Sequence, residues 1–253
     1  MPKNVIVAQS GGPSPVINSS LRGVIETCKM FPGTFGTLYG GWHGIEGVLR
    51  EELLDLSAQD EEEIALLRYT PAAGSIGTCR YKLKASQNED FERVIEVMKA
   101  HDIGYFFYNG GNDSMDTAHK VSQIGAQLGY PITCIGVPKT VDNDLPHTDC
   151  CPGFGSVAKY IAISTLEGGL DVASMARTST KVFVLEVMGR HAGWIACHSG
   201  MAGGADAILV PERPFDIDDV CAHLTARHQR GRSFSIVVAS EGAQPLAGSM
   251  ATK

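Results

Sequence analysis

The stretch Val5-Ile6-Val7-Ala8-Gln9-Ser10-Gly11-Gly12-Pro13-Ser14-Pro15 decides the fold. Four apolar residues in a row read as a buried strand. Gly11 and Gly12 end it, and Pro13 and Pro15 are start signals for the helical periodicity that runs over Val16–Met30. A continuously apolar strand, as opposed to an alternating one, belongs to a parallel sheet covered on both faces.

The same alternation continues along the chain. Strands are expected at Gly33–Tyr39, Gly104–Tyr108, Ile132–Val137, Lys181–Val187, Ala207–Val210 and Phe234–Ala239. Helices are expected at Asp60–Arg68, Asp90–His101, Ser114–Leu128, Ser156–Met175, His191–Ala202 and Ile217–Arg230. Gly40–Gly47 and Pro71–Arg80 read as glycine-bearing loops. Strands separated by helices imply βαβ crossovers, so the class is α/β with mostly parallel sheets covered by helices. The long Pro138–Gly155 loop divides the chain into two such units, 1–138 and 139–253. The chain stops soon after its last strand, so the second unit is expected to be incomplete at its C-terminus.

Charge and cysteine usage narrow the function classes. Lys and Arg total 21 against 28 Asp and Glu, a formal net charge of −7, which argues against indiscriminate binding to nucleic acid or an anionic membrane. No apolar run is as long as a membrane span. The seven cysteines are odd in number and include no C-x-x-C, which fits free thiols in a reducing cytoplasm and disfavours structural zinc. The histidines show no metal-ligand spacing. His191, beside Arg190, is the one worth testing.

In open α/β sheets, ligands bind beyond the carboxyl ends of the strands, and the informative segments fall there. In Ser10–Pro15 two glycines let a backbone approach an oxyanion, and the following helix start favours negative charge. A tight turn that merely starts a helix explains the same residues. The segment is neither a Walker A loop nor G-x-G-x-x-G. In Asn109-Gly110-Gly111-Asn112-Asp113-Ser114 the plain reading is a helix cap at Asp113 or Ser114, and the functional one is an Mg²⁺–phosphate site. Pro138-Lys139-Thr140-Val141-Asp142-Asn143-Asp144 holds a lysine, a hydroxyl and two carboxylates. It is either a solvated acidic turn or a site where a carboxylate takes a proton and a lysine neutralises a phosphoryl group. Arg190 offers a guanidinium at a strand end, and Glu241 a carboxylate at another; a structural arginine and an ordinary turn are the alternatives.

Taken in order, Gly11-Gly12, Gly111-Asn112-Asp113-Ser114, Pro138–Asp144, Met188-Gly189-Arg190 and Glu241-Gly242 resemble the 6-phosphofructokinase family over nearly the whole chain. The resemblance implies a phosphofructokinase-like fold of two Rossmann-like α/β units. Residues 1–138 would bind the phosphoryl donor and 139–253 the sugar phosphate. The implied reaction is the glycolytic transfer of a phosphoryl group to the 1-hydroxyl of fructose 6-phosphate, with Mg²⁺. Asp142 matches the catalytic base. Gly11, Gly12, Arg80, Gly111 and Ser114 match donor positions. Thr140, Val141, Asp144, Met188, Gly189, Arg190 and Glu241 match acceptor positions. Lys181 matches a basic residue that reaches the sugar phosphate of a neighbouring subunit, which implies a homo-oligomer of at least two chains.

Asp113 and Lys139 stand as they do in the pyrophosphate-dependent members of the family. A glycine at position 113 would leave room for the α-phosphate of a nucleotide, and Asp113 fills that room and repels it. Lys139 adds charge where the shorter donor needs it neutralised. Pyrophosphate is therefore the expected donor, with an ATP-dependent enzyme and a non-catalytic sugar-phosphate-binding subunit as alternatives. Asn112 departs from the family, whose members carry an aspartate there for Mg²⁺; Asn112 and Asp113 remain the expected metal positions.

Overall fold

The computed structural model describes residues 1–70, 74–81, 88–179 and 181–246. Pro71–Ala73, in the expected Pro71–Arg80 loop, lie outside the described residues. The chain forms two compact units, Met1–Lys139 and Thr140–Lys253. The division falls one residue beyond the boundary drawn from sequence. Lys139 is tied back into the first unit, donating its backbone N–H to the Gly110 carbonyl at 2.9 Å.

The first unit holds β1 (Lys3–Gln9), α1 (Pro15–Met30), β2 (Phe35–Gly41), α2 (Ile45–Arg50), β3 (Leu53–Asp55), α3 (Glu61–Leu66), α4 (Asn88–Ala100), β4 (Ile103–Gly110), α5 (Asn112–Gln127) and β5 (Thr133–Pro138). Its sheet runs in the order β3-β2-β1-β4-β5. All neighbours are parallel except the β2–β3 pair. Val5, Ile6, Val7 and Ala8 of the central β1 are fully buried. They divide between two apolar layers: Ile6 and Ala8 pack with Phe91, Val94 and Phe106, Val5 and Val7 with Leu21, Ile25 and Leu38. Each such side chain withdrawn from water contributes roughly 1.5–3 kcal/mol. The fully buried Ile and Val of β1 therefore anchor the unit.

Strand order reverses between β1 and β4. The crevice beyond the carboxyl ends of those two strands is where a doubly wound sheet receives its ligand. The register pairs Gln9 with Asn109 and Gly110 with Pro138, so the Gly11 loop, the Gly111 turn and Lys139 leave one sheet edge together.

The second unit holds α6 (Phe154–Met175), β6 (Val182–Val187), α7 (Trp194–Gly203), β7 (Ala207–Leu209), α8 (Ile217–Gln229) and β8 (Ser235–Ser240). Its sheet is parallel throughout, in the order β6-β8-β7. Phe154, Val187, Ile195, Ala196 and Val238 form its buried core, against which Val141 packs. The mostly parallel α/β class read from sequence holds in both units. No helix among the described residues is long and apolar enough to cross a membrane. All seven cysteines carry free thiols.

Two elements escape the sequence reading. The glycine-bearing Gly40–Gly47 stretch contains the end of β2 and the start of α2. There Gly47 serves packing: a Cβ on it would lie 1.8 Å from the Trp42 carbonyl oxygen. Strand β3 has three residues, too few for a periodic signal. Helix α7 starts at Trp194, after Gly193, leaving His191 exposed in the preceding loop and outside the expected His191–Ala202 helix.

Candidate active site

In the first unit, three chain segments meet on Gly11. The Gly11 backbone N–H donates to the Cys79 carbonyl at 2.8 Å, and the Thr78 hydroxyl donates to the Gly11 carbonyl at 2.8 Å. Ser10 also bridges Cys79 in parallel register and donates its N–H to the Asn109 carbonyl at 2.8 Å. Gly11 turns with φ of +85°, a conformation glycine adopts without steric cost. The segment 78–80, strapped along the loop in this way, delivers Arg80.

Two cations close on the same backbone. The Lys139 ammonium donates to the Gly12 carbonyl at 2.7 Å. A Cβ on Gly11 would lie 3.2 Å from Lys139 Nζ, and one on Gly12 would lie 3.4 Å from Arg80 Nη2. Lys139 is buried and Arg80 exposed. The glycine pair thus lies beneath two cations, Lys139 and Arg80.

Helix α1 starts at Pro15 with no side-chain cap, and the buried Ser14 hydroxyl has no hydrogen-bond partner among the described residues. Helix α5 starts at Asn112, with Gly111 in the cap position. The capping role read for Asp113 or Ser114 is therefore displaced by Gly111. Asp113 is exposed in the first turn of α5, where a carboxylate is favoured by the helix dipole. Ser114 is buried against Gly110, whose Cβ would lie 2.0 Å from Ser114 Oγ. Burial drives the Tyr108 phenol under this edge well above its ordinary range, while a hydrogen bond with Ser10 works against the rise.

The pairing of Gln9 on β1 with Asn109 on β4 carries no mark in the sequence. Both side chains are buried, and both amide nitrogens donate to the Ile17 carbonyl, at 3.3 and 3.0 Å. They fasten the first turn of α1 to the strand ends. A lone Gln or Asn at the end of an apolar strand carries no signal of such pairing.

The second unit assembles its own group. The Thr140 hydroxyl donates to Asp144 Oδ1 at 2.9 Å and accepts the Asp142 backbone N–H at 3.3 Å. Asp142 is half-buried and Asp144 exposed. Burial raises the Cys151 thiol above its usual value, a backbone hydrogen bond from Leu145 opposes this, and Asp144 and Cys150 reinforce it.

Met188-Gly189-Arg190 and Glu241 come together at the carboxyl ends of β6 and β8, where Val187 pairs with Ser240. The Glu241 N–H donates to the Val187 carbonyl at 2.8 Å, and the Gly189 N–H reaches Glu241 Oε1 at 3.4 Å. Ser240 Oγ donates to the Gly189 carbonyl. Gly189 has φ of +129°, and a Cβ there would lie 2.5 Å from the Ala192 carbonyl oxygen. Met188, Arg190 and Glu241 are exposed around this tight join. Lys181 stands apart. It precedes the first residue of β6, and seven residue steps at about 3.3 Å each put it roughly 23 Å from Met188.

Among the described residues no group of three His, Cys, Asp or Glu side chains could hold a metal ion. Asn112 and Asp113, both exposed at the start of α5, each offer an oxygen of the kind a hard cation takes, and such a cation needs only one or two protein oxygens with the rest from phosphate and water.

Comparison with known proteins agrees with this architecture. The sequence profile of the Phosphofructokinase family matches residues 4–253. The pyrophosphate–fructose 6-phosphate 1-phosphotransferase of Methylococcus capsulatus is 54% identical over 247 residues, covering 95% of this chain and 58% of the relative. A crystal structure of the pyrophosphate-dependent phosphofructokinase from Marinobacter aquaeolei superposes with a TM-score of 0.89 at 57% identity, over 96% of this chain and 61% of that one. An ATP-dependent 6-phosphofructokinase from Chloroflexus aurantiacus is more distant, 35% identical over 246 residues, 96% of this chain and 66% of that protein. The chain thus spans about three-fifths of the length of the nearer relatives. A profile match over nearly every residue, joined to a doubly wound unit with its glycine cradle at the strand-order reversal, places this chain in the phosphofructokinase family.

Proposed function

We propose that the protein transfers the terminal phosphoryl group of pyrophosphate to the 1-hydroxyl of fructose 6-phosphate. The products are fructose 1,6-bisphosphate and inorganic phosphate. The observation that carries this reading is the approach of Lys139 and Arg80 to the Gly11–Gly12 backbone, with the Asp113 carboxylate at the neighbouring helix start. Two cations over a glycine floor suit a compact, highly charged anion, and a carboxylate beside them disfavours the α-phosphate of a nucleotide. The names borne by the relatives at 54% identity support the same donor.

In the chemistry that follows, Asp142 accepts the proton of the 1-hydroxyl as its oxygen attacks the terminal phosphorus. The bridging P–O bond breaks, and phosphate leaves. Lys139, Arg80 and the backbone at Gly11 and Gly12 hold the donor oxygens, with Gly111 and Ser114 shaping the adjoining turn. Thr140, Val141 and Asp144 orient the acceptor around Asp142, while Met188, Gly189, Arg190 and Glu241 hold the sugar phosphate. Asn112 and Asp113 would hold Mg²⁺, which when bound neutralises donor charge. Positioning and electrostatics carry most of the rate in such a transfer. The pyrophosphate bond and the sugar phosphate ester are close in energy, so the step runs in both directions. Lys181, remote from Met188, serves a neighbouring copy in a homo-oligomer, and the setting is the cytoplasm.

The test is an assay of the purified chain with fructose 6-phosphate and Mg-pyrophosphate, and in reverse with fructose 1,6-bisphosphate and phosphate. Turnover in both directions is expected, with Asp142→Asn reduced by roughly 10²–10⁴ in turnover while substrate binding persists. Full turnover in Asp142→Asn would remove Asp142 as the base, and no turnover in the unaltered chain would refute the reading.

A further inference from the structure

Asp142 lies in a loop that has no regular secondary structure between β5 and α6, yet its position has to be exact for proton transfer. The residue after it supplies the means. Asn143 is buried, with 6% of its surface exposed, in a segment otherwise rich in exposed polar side chains. Its backbone has φ of +56°, a left-handed conformation that asparagine tolerates better than other side-chain-bearing residues. Its amide is used at both ends. Nδ2 donates to the Asp149 carbonyl at 3.1 Å, and Oδ1 accepts the Cys151 backbone N–H at 2.7 Å.

Those two bonds close the loop from 143 to 151 on a single side chain. The far end is fixed in turn, because the Cys151 carbonyl accepts the Phe154 N–H at 3.1 Å, and Phe154 begins α6 with its ring buried in the core of the second unit. A continuous chain of contacts thus runs from the core, through Phe154 and Cys151, to the residue adjoining Asp142. The Thr140 hydroxyl braces the other side by accepting the Asp142 N–H.

We propose that Asn143 is a positioning residue for the phosphoryl-transfer reaction: its amide clamps Asp149 and Cys151 and thereby holds Asp142 where it can take the acceptor proton. This rests on the reading of Asp142 as base. The clamp needs both amide functions. Aspartate keeps the acceptor for Cys151 but presents a carboxylate oxygen to the Asp149 carbonyl. Glycine keeps the left-handed backbone and loses both bonds.

The experiment compares the unaltered chain with Asn143→Asp and Asn143→Gly. Steady-state rates are read with fructose 6-phosphate and Mg-pyrophosphate, and amide hydrogen exchange is read over residues 143–151 without substrate. A base displaced by about 1 Å costs on the order of 10²-fold. Both variants are therefore expected to lose turnover by about 100-fold while KM for each substrate stays within about threefold, the pattern of a group that acts in the transition state. Exchange at Cys151 should accelerate at least about tenfold in Asn143→Gly, which retains the easy backbone, separating the clamp from strain. Unchanged turnover in both variants, or a loss that appears only in KM, would overturn the proposal. Should the unaltered chain itself be inactive, the function reading fails separately, and exchange decides the clamp: equal protection of residues 143–151 in all three proteins would overturn it.

Discussion

The Lys139 ammonium sits so close over Gly11 that a single added carbon, the Cβ that glycine lacks, would stand 3.2 Å from its nitrogen. Gly11 also turns with φ of +85°, a conformation that costs an alanine about 1–2 kcal/mol. Gly11→Ala therefore strains the loop and makes the Lys139 ammonium give by a few tenths of an ångström over the Gly12 carbonyl. KM for pyrophosphate is expected to rise roughly tenfold, with KM for fructose 6-phosphate unchanged, because only uniform donor binding is removed. Initial-rate measurements varying each substrate in turn separate the two.

On the proposed reading, Asp113 selects the donor by size and sign. Replacing it with glycine removes the carboxylate from the first turn of α5. Asp113→Gly is expected to lower the ratio of kcat/KM for pyrophosphate over ATP by roughly 10–100-fold, the scale of one repulsive contact of about 1.4–3 kcal/mol. Parallel assays with the two donors read the ratio, and an unchanged ratio would show that Asp113 does not select.

Gly242 packs the turn after β8 against the backbone of Arg190. A Cβ there would lie 1.9 Å from the Arg190 carbonyl oxygen, a backbone atom with no side-chain freedom to yield. Gly242→Ala should destabilise the second unit by roughly 2–3 kcal/mol, as forced overpacking does. KM for fructose 6-phosphate should rise more than KM for pyrophosphate. Thermal unfolding and initial rates check the two effects.

A buried thiol, Cys28, and a half-buried one, Cys134, predict an alkaline loss of stability. Burial pushes Cys28 up to about 11 and Cys134 up to about 12, from an ordinary value of 9.0. The folded state therefore keeps protons that the unfolded chain releases at lower pH. The stabilisation is full below the unfolded value of 9.0 and is lost as pH rises toward 11 and 12. Melting temperature should fall between about pH 8.5 and about pH 10.5, and Cys134→Val should flatten that slope. A slope identical to that of the unaltered chain would assign the loss elsewhere.

What could be read from sequence was local. Val5–Ala8 announced a central strand because four apolar residues in succession survive only inside a covered sheet. The Thr140–Asp144 run announced chemistry because it gathers a hydroxyl and two carboxylates just beyond a strand end. The joins between distant segments were silent. Thr78 fastening Gly11, Gln9 and Asn109 sharing the Ile17 carbonyl, and Glu241 meeting Gly189 each depend on strand order and register. No residue type encodes those by itself. Short elements were lost for another reason: Ile45–Arg50 and Leu53–Asp55 are too brief to show a period, and Gly47 mimics a loop residue while packing against Trp42.

The account stands or falls on a diphosphate cradle that turns nucleotides away, and binding tests it without requiring turnover. Isothermal titration of the chain with Mg-pyrophosphate and with Mg-ATP should show pyrophosphate bound at least about tenfold more tightly, a difference of about 1.4 kcal/mol, and the preference should vanish in Lys139→Met. ATP bound as tightly as pyrophosphate by the unaltered chain would contradict it.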